Sequence, residues 1–119
     1  VTTTVAGLPA IVDLKTTGKS AAATPFAKSV VDFGYDLQDD WYSTGFELIT
    51  GQRPSFVFIV VEKEAPHFVA VHTLDEFFKE RGARLRRDAL NLYAACHAAD
   101  EWPAYGDDIN VLTPPRWAS

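Results

Sequence analysis

Seven consecutive residues, Ser55 to Val61 (SFVFIVV), constrain the fold of this 119-residue chain more than any other stretch. Four of them are β-branched and two are aromatic, a composition that favours a strand. Their nearly continuous apolar character is the pattern of a strand covered on both faces. Pro54 leads into the run. The charged loop Glu62 to Pro66 then turns the chain into His67 to Val71 (HFVAV), which has the length of a hairpin partner.

The flanking segments supply the rest of a sheet and its cover. Val1 to Val5 (VTTTV) and Ala10 to Lys15 (AIVDLK) read as two strands of a hairpin punctuated by Gly7-Leu8-Pro9. Thr16 to Ala23 reads as a loop, and Thr24-Pro25 as an N-cap followed by proline at the first position of a helix reaching about Phe33. Gly34 can close that helix in a left-handed cap, and a second helix is expected from about Tyr35 to Ile49, closed by Gly51. Thr73-Leu74-Asp75-Glu76 has the form of a capping box with Thr73 as N-cap. It opens a long helix to about Ala99, whose apolar stripe is Leu74, Phe77, Phe78, Leu85, Ala89, Leu92 and Cys96. After Asp100 the chain is loop-rich, and its rings, Trp102, Tyr105 and Trp117, order it only by docking on the body. The order β, β, α, α, β, β, α predicts one mixed α/β domain with helices packed on a central sheet.

Composition narrows the function classes. A chain with 47% hydrophobic and 23% charged residues is an ordinary globular one, not disordered, collagen-like or a disulfide scaffold. No apolar run approaches the roughly 18 residues of a membrane span, so no membrane partner is expected. Eleven Lys and Arg against sixteen Asp and Glu leave a net charge of −5, so any nucleic-acid site has to be local. The single cysteine, Cys96, cannot form an intrachain disulfide, which fits a reducing compartment; on the apolar helix stripe it reads as a core residue. The chain contains no Met and opens directly in a Thr-rich, strand-like run, which raises the expectation that it begins inside a larger protein.

Two clusters can carry chemistry. Alternation along a strand puts Asp13 and Lys15 on one face and Leu14 on the other. A carboxylate and an ammonium among Ile11, Val12 and Leu14 are costly unless used. They can serve a divalent cation and an anion, or simply form an ion pair at a strand end. In the second cluster, helical spacing puts Tyr35, Gln38 and Tyr42 on one narrow stripe, continued by Phe46 and Ile49. A buried amide there needs a partner, in a site or as a cap on a backbone group. Elsewhere, Lys79, Arg81, Arg84, Arg86 and Arg87 do not share a stripe and read as a solvated face paired with Glu80 and Asp88. Asp39, Asp40, Asp107 and Asp108 also read as solvated. His67, His72 and His97 have no metal-ligand spacing, and no nucleophile-elbow or P-loop pattern is present.

Taken in order, D-L-K-T-T, a loop, a helix ending in Phe-Gly, and Y-x-x-Q-x-x-x-Y resemble the PD-(D/E)xK nuclease superfamily, and within it the RecE or exonuclease VIII-like phage and prophage exonucleases. The likeness continues through the strand Phe56 to Val61, the turn VEKEAPHFV, the helix containing Leu92-Tyr93-Ala94-Ala95-Cys96, and the Trp-Pro and Pro-x-Trp ending. The resemblance implies a restriction-endonuclease-like core, a central mixed sheet flanked by helices, over residues 1–119. It implies that Asp13 binds metal, with the Leu14 carbonyl as a further ligand, that Lys15 is the catalytic lysine, and that Gln38 and Tyr42 line the active site. Tyr35 matches the same helix motif and would contact DNA, with Mg2+ or Mn2+ as cofactor; Lys19 and Lys28 are candidate phosphate contacts because the loop and helix after D-x-K should flank the cleft. It further implies linear double-stranded DNA as substrate, a possible homo-oligomer, a single-strand annealing protein as partner, and the cytoplasm of a bacterial or phage-infected cell. The family also places an aspartate on the strand before D-x-K, where this chain reads VTTTV. The expectation is therefore that residues 1–119 are the C-terminal portion of a longer nuclease domain, without its N-terminal helix and first strand. As such a half-site, this portion would be inactive alone. The rival expectation is a nuclease-fold relative that binds DNA or protein without catalysis.

Overall fold

The computed structural model describes residues 1–118. Strands β1 (Thr2–Val5) and β2 (Leu8–Thr17) form an antiparallel hairpin in which Thr4 faces Pro9 and Thr2 faces Ile11. The turn is Ala6-Gly7, with φ of 50° and 79°, the positive values that a two-residue hairpin loop requires. The break therefore falls before Leu8, and Leu8 and Pro9 belong to β2. Pro9 has no N–H to donate, and it precedes Ala10, where pairing with the next strand begins.

Helix α1 (Ala23–Phe33) starts two residues earlier than the Thr24-Pro25 signal predicts. Ala22 is the N-cap, without a side-chain cap bond. Tertiary contacts fix this start: the Ala21 N–H donates to Glu62 Oε1 at 2.9 Å, and its carbonyl accepts from His72 Nε2 at 2.7 Å. Gly34, at φ 67°, ends α1 by donating to the Val30 carbonyl, and α2 (Tyr35–Thr50) follows directly, closed by Gly51. Strand β3 (Ser55–Glu62) runs parallel to β2, and β4 (Val69–His72) antiparallel to β3, giving the order β1-β2-β3-β4. The β3 partner starts at Val69 rather than His67, because His67 has a φ of 62° and donates its N–H to the Glu64 carbonyl as part of the turn. Helix α3 (Glu76–Ala99) is capped by Asp75, which accepts from the Phe78 N–H at 3.0 Å. Thr73 is not the cap: Leu74 is drawn into the core, which leaves Asp75 as the last residue before the helix.

The core lies on one face of the sheet. Phe56, Phe58 and Val60 of β3 point into it, and Phe26 and Val30 of α1, Ala21 and Leu74 complete the cluster, with Tyr35 and Phe46 of α2 packed against it. Phe26 stacks between Tyr35 and His72 and meets Phe58 edge-on. The other sheet face carries Leu14 at 65% exposure, with Val69 and Val71 also exposed and Val57, Ile59 and Val61 half-buried. The prediction of two covered faces for β3 is therefore corrected, since among the described residues no helix lies over this second face. A continuous apolar run reports what the side chains tolerate, not which layers this chain supplies.

The largest departure concerns α3. Its one fully buried residue is Gly82; of the predicted apolar stripe, Leu74 just before the helix is in the core, Phe78 packs against it and Leu85 is half-buried, while the rest does not reach it. Phe77, Leu92 and Tyr93 are exposed, and Cys96 is half-exposed beside Tyr93 and Trp102 rather than in the core. The α2–α3 interface is ionic instead. Asp36, Asp39, Asp40 and Ser43 of α2 are all buried. Arg81 donates to Asp36, Arg86 donates to Asp40, and Arg53 reaches Asp40 Oδ1 at 3.2 Å and Glu47 at 2.9 Å. Asp39 and Asp40 are thus not solvated, and Arg81 and Arg86 do not pair with Glu80 and Asp88. Beyond this contact, residues 87–99 and the tail project from the body; Trp102 lies against Tyr93, whereas Tyr105 and Trp117 are exposed. The radius of gyration, 18.7 Å, reflects this arm, since a compact chain of this length would have about 13–14 Å.

Asp39 has a measurable consequence. Its Oδ1 accepts from the buried Ser43 hydroxyl at 2.9 Å, but its buried Oδ2 has no partner. Burial pushes the carboxyl above its ordinary value of 3.8, against the weaker opposing pull of the Ser43 hydrogen bond. The folded state then holds this proton more tightly than the unfolded chain, so the group withdraws stability as pH rises from the ordinary value through the raised one. Asp39→Asn, which keeps an acceptor for Ser43, is expected to add about 1 kcal/mol at neutral pH. Urea unfolding across pH should show that gain shrinking below the ordinary carboxylate range.

Candidate active site

Register places the D-x-K residues. Asp13 faces Phe58 and Lys15 faces Val60 across the β2–β3 ladder, so both lie on the helix-covered face, while Leu14, opposite Ile59, points to the open one. Helix α2 crosses above them and lowers the Tyr35, Gln38 and Tyr42 stripe toward β2. Lys15 is the hub: its Nζ lies 2.7 Å from Asp13 Oδ2, donates to Gln38 Oε1 at 2.8 Å, and sits 4.4 Å from the centre of the Tyr35 ring. The carboxylate pairs with the Lys15 amino group, the amide oxygen accepts from it, and the ring face adds a cation–π attraction. The lysine and aspartate side chains are largely buried, and Gln38 has Lys15 as the partner its burial requires.

Asp13 and Gln38 of this hub line a cavity of about 520 Å3 together with Tyr42, Trp41, Phe46 and Phe56 among others, whereas Lys15 and Tyr35 are not part of its lining. Tyr42 stands at its rim, half exposed. The structure thus brings Asp13, Lys15, Tyr35, Gln38 and Tyr42 to one place. It does not bring Lys19 or Lys28 into the cavity lining. Lys19 is exposed in the loop after β2. Lys28 is exposed on α1 and pairs with Asp32 at 2.9 Å, which holds the Asp32 carboxyl below its ordinary value. The Leu14 carbonyl lies on the free edge of β2. Val12 exchanges both main-chain hydrogen bonds with Val1, so the groups of Leu14, two residues on, point the same way beyond β1.

Over residues 5–115 the sequence matches the model of a family described as a PDDEXK-like domain of unknown function, DUF3799. The chain belongs to this PDDEXK-like family. Membership supports a nuclease-type function at the level of the superfamily. No curated protein matches the chain.

Such nucleases generally use divalent metals, and the donors of this PDDEXK-like domain fit one only in part. Asp13 Oδ2 is buried and, although ion-paired with Lys15, has no aligned hydrogen-bond donor. An ion such as Mg2+ would have to share this hard oxygen with the Lys15 ammonium 2.7 Å away, and the Leu14 carbonyl is a second oxygen that would suit it. Among the described residues no three His, Cys, Asp or Glu side chains gather into a metal-binding group. A Mg2+ ion held by one carboxylate and one carbonyl would have to complete its octahedron with water and substrate phosphate oxygens. Among the described residues no helix is long and apolar enough to cross a membrane.

The PDDEXK-like domain also uses residues that the sequence reading did not single out for the site. Trp41 lines the cavity. Asp36, Asp40, Arg81, Gly82 and Arg86 hold α2 from behind. A signal for them existed in the spacing of Asp36 and Asp40, one helical turn apart on the face next to Gln38. Which arginines would meet them lay in a contact between elements separated by 45 residues.

Proposed function

We propose that this PDDEXK-like domain is the core of a Mg2+- or Mn2+-dependent DNA exonuclease acting on linear double-stranded DNA, of the RecE or exonuclease VIII-like kind, in phage-type recombination. The observation that supports this reading is the single ammonium of Lys15 held by Asp13, Gln38 and Tyr35 at the edge of an open cavity. Phosphodiester hydrolysis builds negative charge on the phosphorane, and a preorganised cation at that point stabilises it. Lys15 takes that role, Gln38 orients its ammonium, Asp13 and the Leu14 carbonyl would hold the metal, and Tyr42 with Tyr35 contacts the DNA strand. Lys19 and Lys28, both solvent-exposed, engage phosphates further along. The metal supplies charge neutralisation and an acidified water. Homo-oligomers, a single-strand annealing partner and a cytoplasmic site of action belong to the same proposal.

With one acidic metal ligand, residues 1–119 are proposed to be the C-terminal portion of the catalytic domain and inactive alone. The test incubates linear duplex DNA and Mg2+ with the 119-residue chain and with the chain preceded by the residues its gene encodes upstream. Digestion by the longer form only is expected. Robust digestion by residues 1–119 would overturn the half-site, and digestion by neither would count against a nuclease. In an active form, Asp13→Ala is expected to lower turnover by about a hundred- to a thousandfold with DNA binding little changed.

The single acidic ligand also favours a second reading, a non-catalytic relative that binds DNA or protein through this fold, with Asp13 and Lys15 paired only to each other. On that reading Asp13→Ala lowers the unfolding midpoint and leaves no turnover to lose.

A further inference from the structure

We infer that Arg81 and Arg86 of α3 are positioning residues for the Lys15 centre, acting through α2 as a register lock. The inference rests on the nuclease reading for its functional meaning, and its test is read without DNA.

Helix α2 has two working sides. One lowers Tyr35 and Gln38 onto Lys15. That side faces the 520 Å3 cavity along Gln38, Trp41 and Tyr42; Tyr35 and Phe46 pack on the core, but α2 packs far more extensively on α3 than on β3. The other side presents Asp36 and Asp40 to Arg81 and Arg86. Asp36 lies between Tyr35 and Gln38 in sequence, so whatever fixes Asp36 fixes them.

The contact is discrete rather than greasy. Asp36 is 0% exposed and Arg81 is its one ion-pair partner among the described residues. The pairs advance in the same direction, from 36 to 40 on α2 and from 81 to 86 on α3. Sliding α3 one turn toward the α2 C-terminus would set Arg81 against Asp40 and Arg86 against Thr44, leaving Asp36 buried without a counter-charge. Gly82 adds a stop, because the α3 backbone comes so close that a Cβ there would fall 2.2 Å from the Asp36 carbonyl oxygen. An apolar interface would tolerate slippage that this one does not, and buried polar pairs are best attested in such register roles.

The test replaces the inner pair by apolar residues of similar size, Asp36→Leu with Arg81→Met, in the 119-residue chain. Two readouts separate positioning from bulk stability. The unfolding midpoint is expected to be kept or raised. The ε-CH2 protons of Lys15, displaced upfield by the Tyr35 ring current in NMR spectra of the parent, are expected to lose most of that displacement. A full displacement retained in the folded double variant overturns the lock. Should that variant not fold, Asp40→Leu with Arg86→Met gives the same reading, since Arg53 keeps Glu47 as a partner; there too, an unchanged Lys15 displacement overturns the inference. A lock that holds while neither the 119-residue chain nor its longer form digests DNA would sink the nuclease reading alone.

Discussion

Gly82→Ala is expected to destabilise the domain by about 3 kcal/mol, the opposite of what the same change does in an ordinary exposed helix. There alanine gains about 1 kcal/mol over glycine from helix propensity. At position 82 the new Cβ would lie 2.2 Å from the Asp36 carbonyl oxygen and 2.7 Å from its carbon. Both are main-chain atoms inside α2, so no flexible side chain can yield, and the two helices have to separate. Separation also lengthens the Arg81–Asp36 and Arg86–Asp40 pairs. Urea or thermal unfolding of the variant decides the matter, and a gain in stability would overturn the steric argument.

Arg81→Met is expected to cost about 3–5 kcal/mol, because it strands a fully buried Asp36 carboxylate with no second cation. Against a total of about 5–15 kcal/mol for a domain of this size, that loss brings the fold near its threshold. Arg86→Met should cost clearly less. Asp40 keeps Arg53 at 3.2 Å after Arg86 is removed. Equilibrium unfolding of the two variants side by side tests the difference; equal losses would show that Arg53 does not compensate.

Much of the architecture was legible because it is written in local chemistry. Gly34 and Gly51 end their helices as left-handed caps where the pattern placed them. The mixed sheet flanked by helices follows from the element order, and β3 lies within one residue of its apolar run. Boundaries that depend on tertiary contacts moved. Thr24 and Thr73 are both sound capping residues, yet the Ala21 clamp and the burial of Leu74 put the caps at Ala22 and Asp75. The α3 stripe reached the core only at Leu74 and Phe78, for a similar reason. Periodicity shows which face of a helix could be apolar, but here the contact is made by a glycine and two arginines.

What the sequence determined by itself about the candidate site was its residue list: a D-x-K triplet on a strand and a Y-x-x-Q-x-x-x-Y stripe on a helix, because periods of two and 3.6 residues sort side chains onto faces without tertiary knowledge. That Lys15 would join Asp13, Gln38 and Tyr35 was decided only by the tertiary structure, in the register of β2 on β3 and the height of α2 above them. The charges of α2 and α3 show the same division most sharply. Asp36, Asp40, Arg81 and Arg86 look like surface residues in a sequence, since an isolated buried charge is prohibitive. Their burial became affordable only when folding set each carboxylate against a guanidinium from 45 or 46 residues away, and a pairing at that separation leaves no local signature.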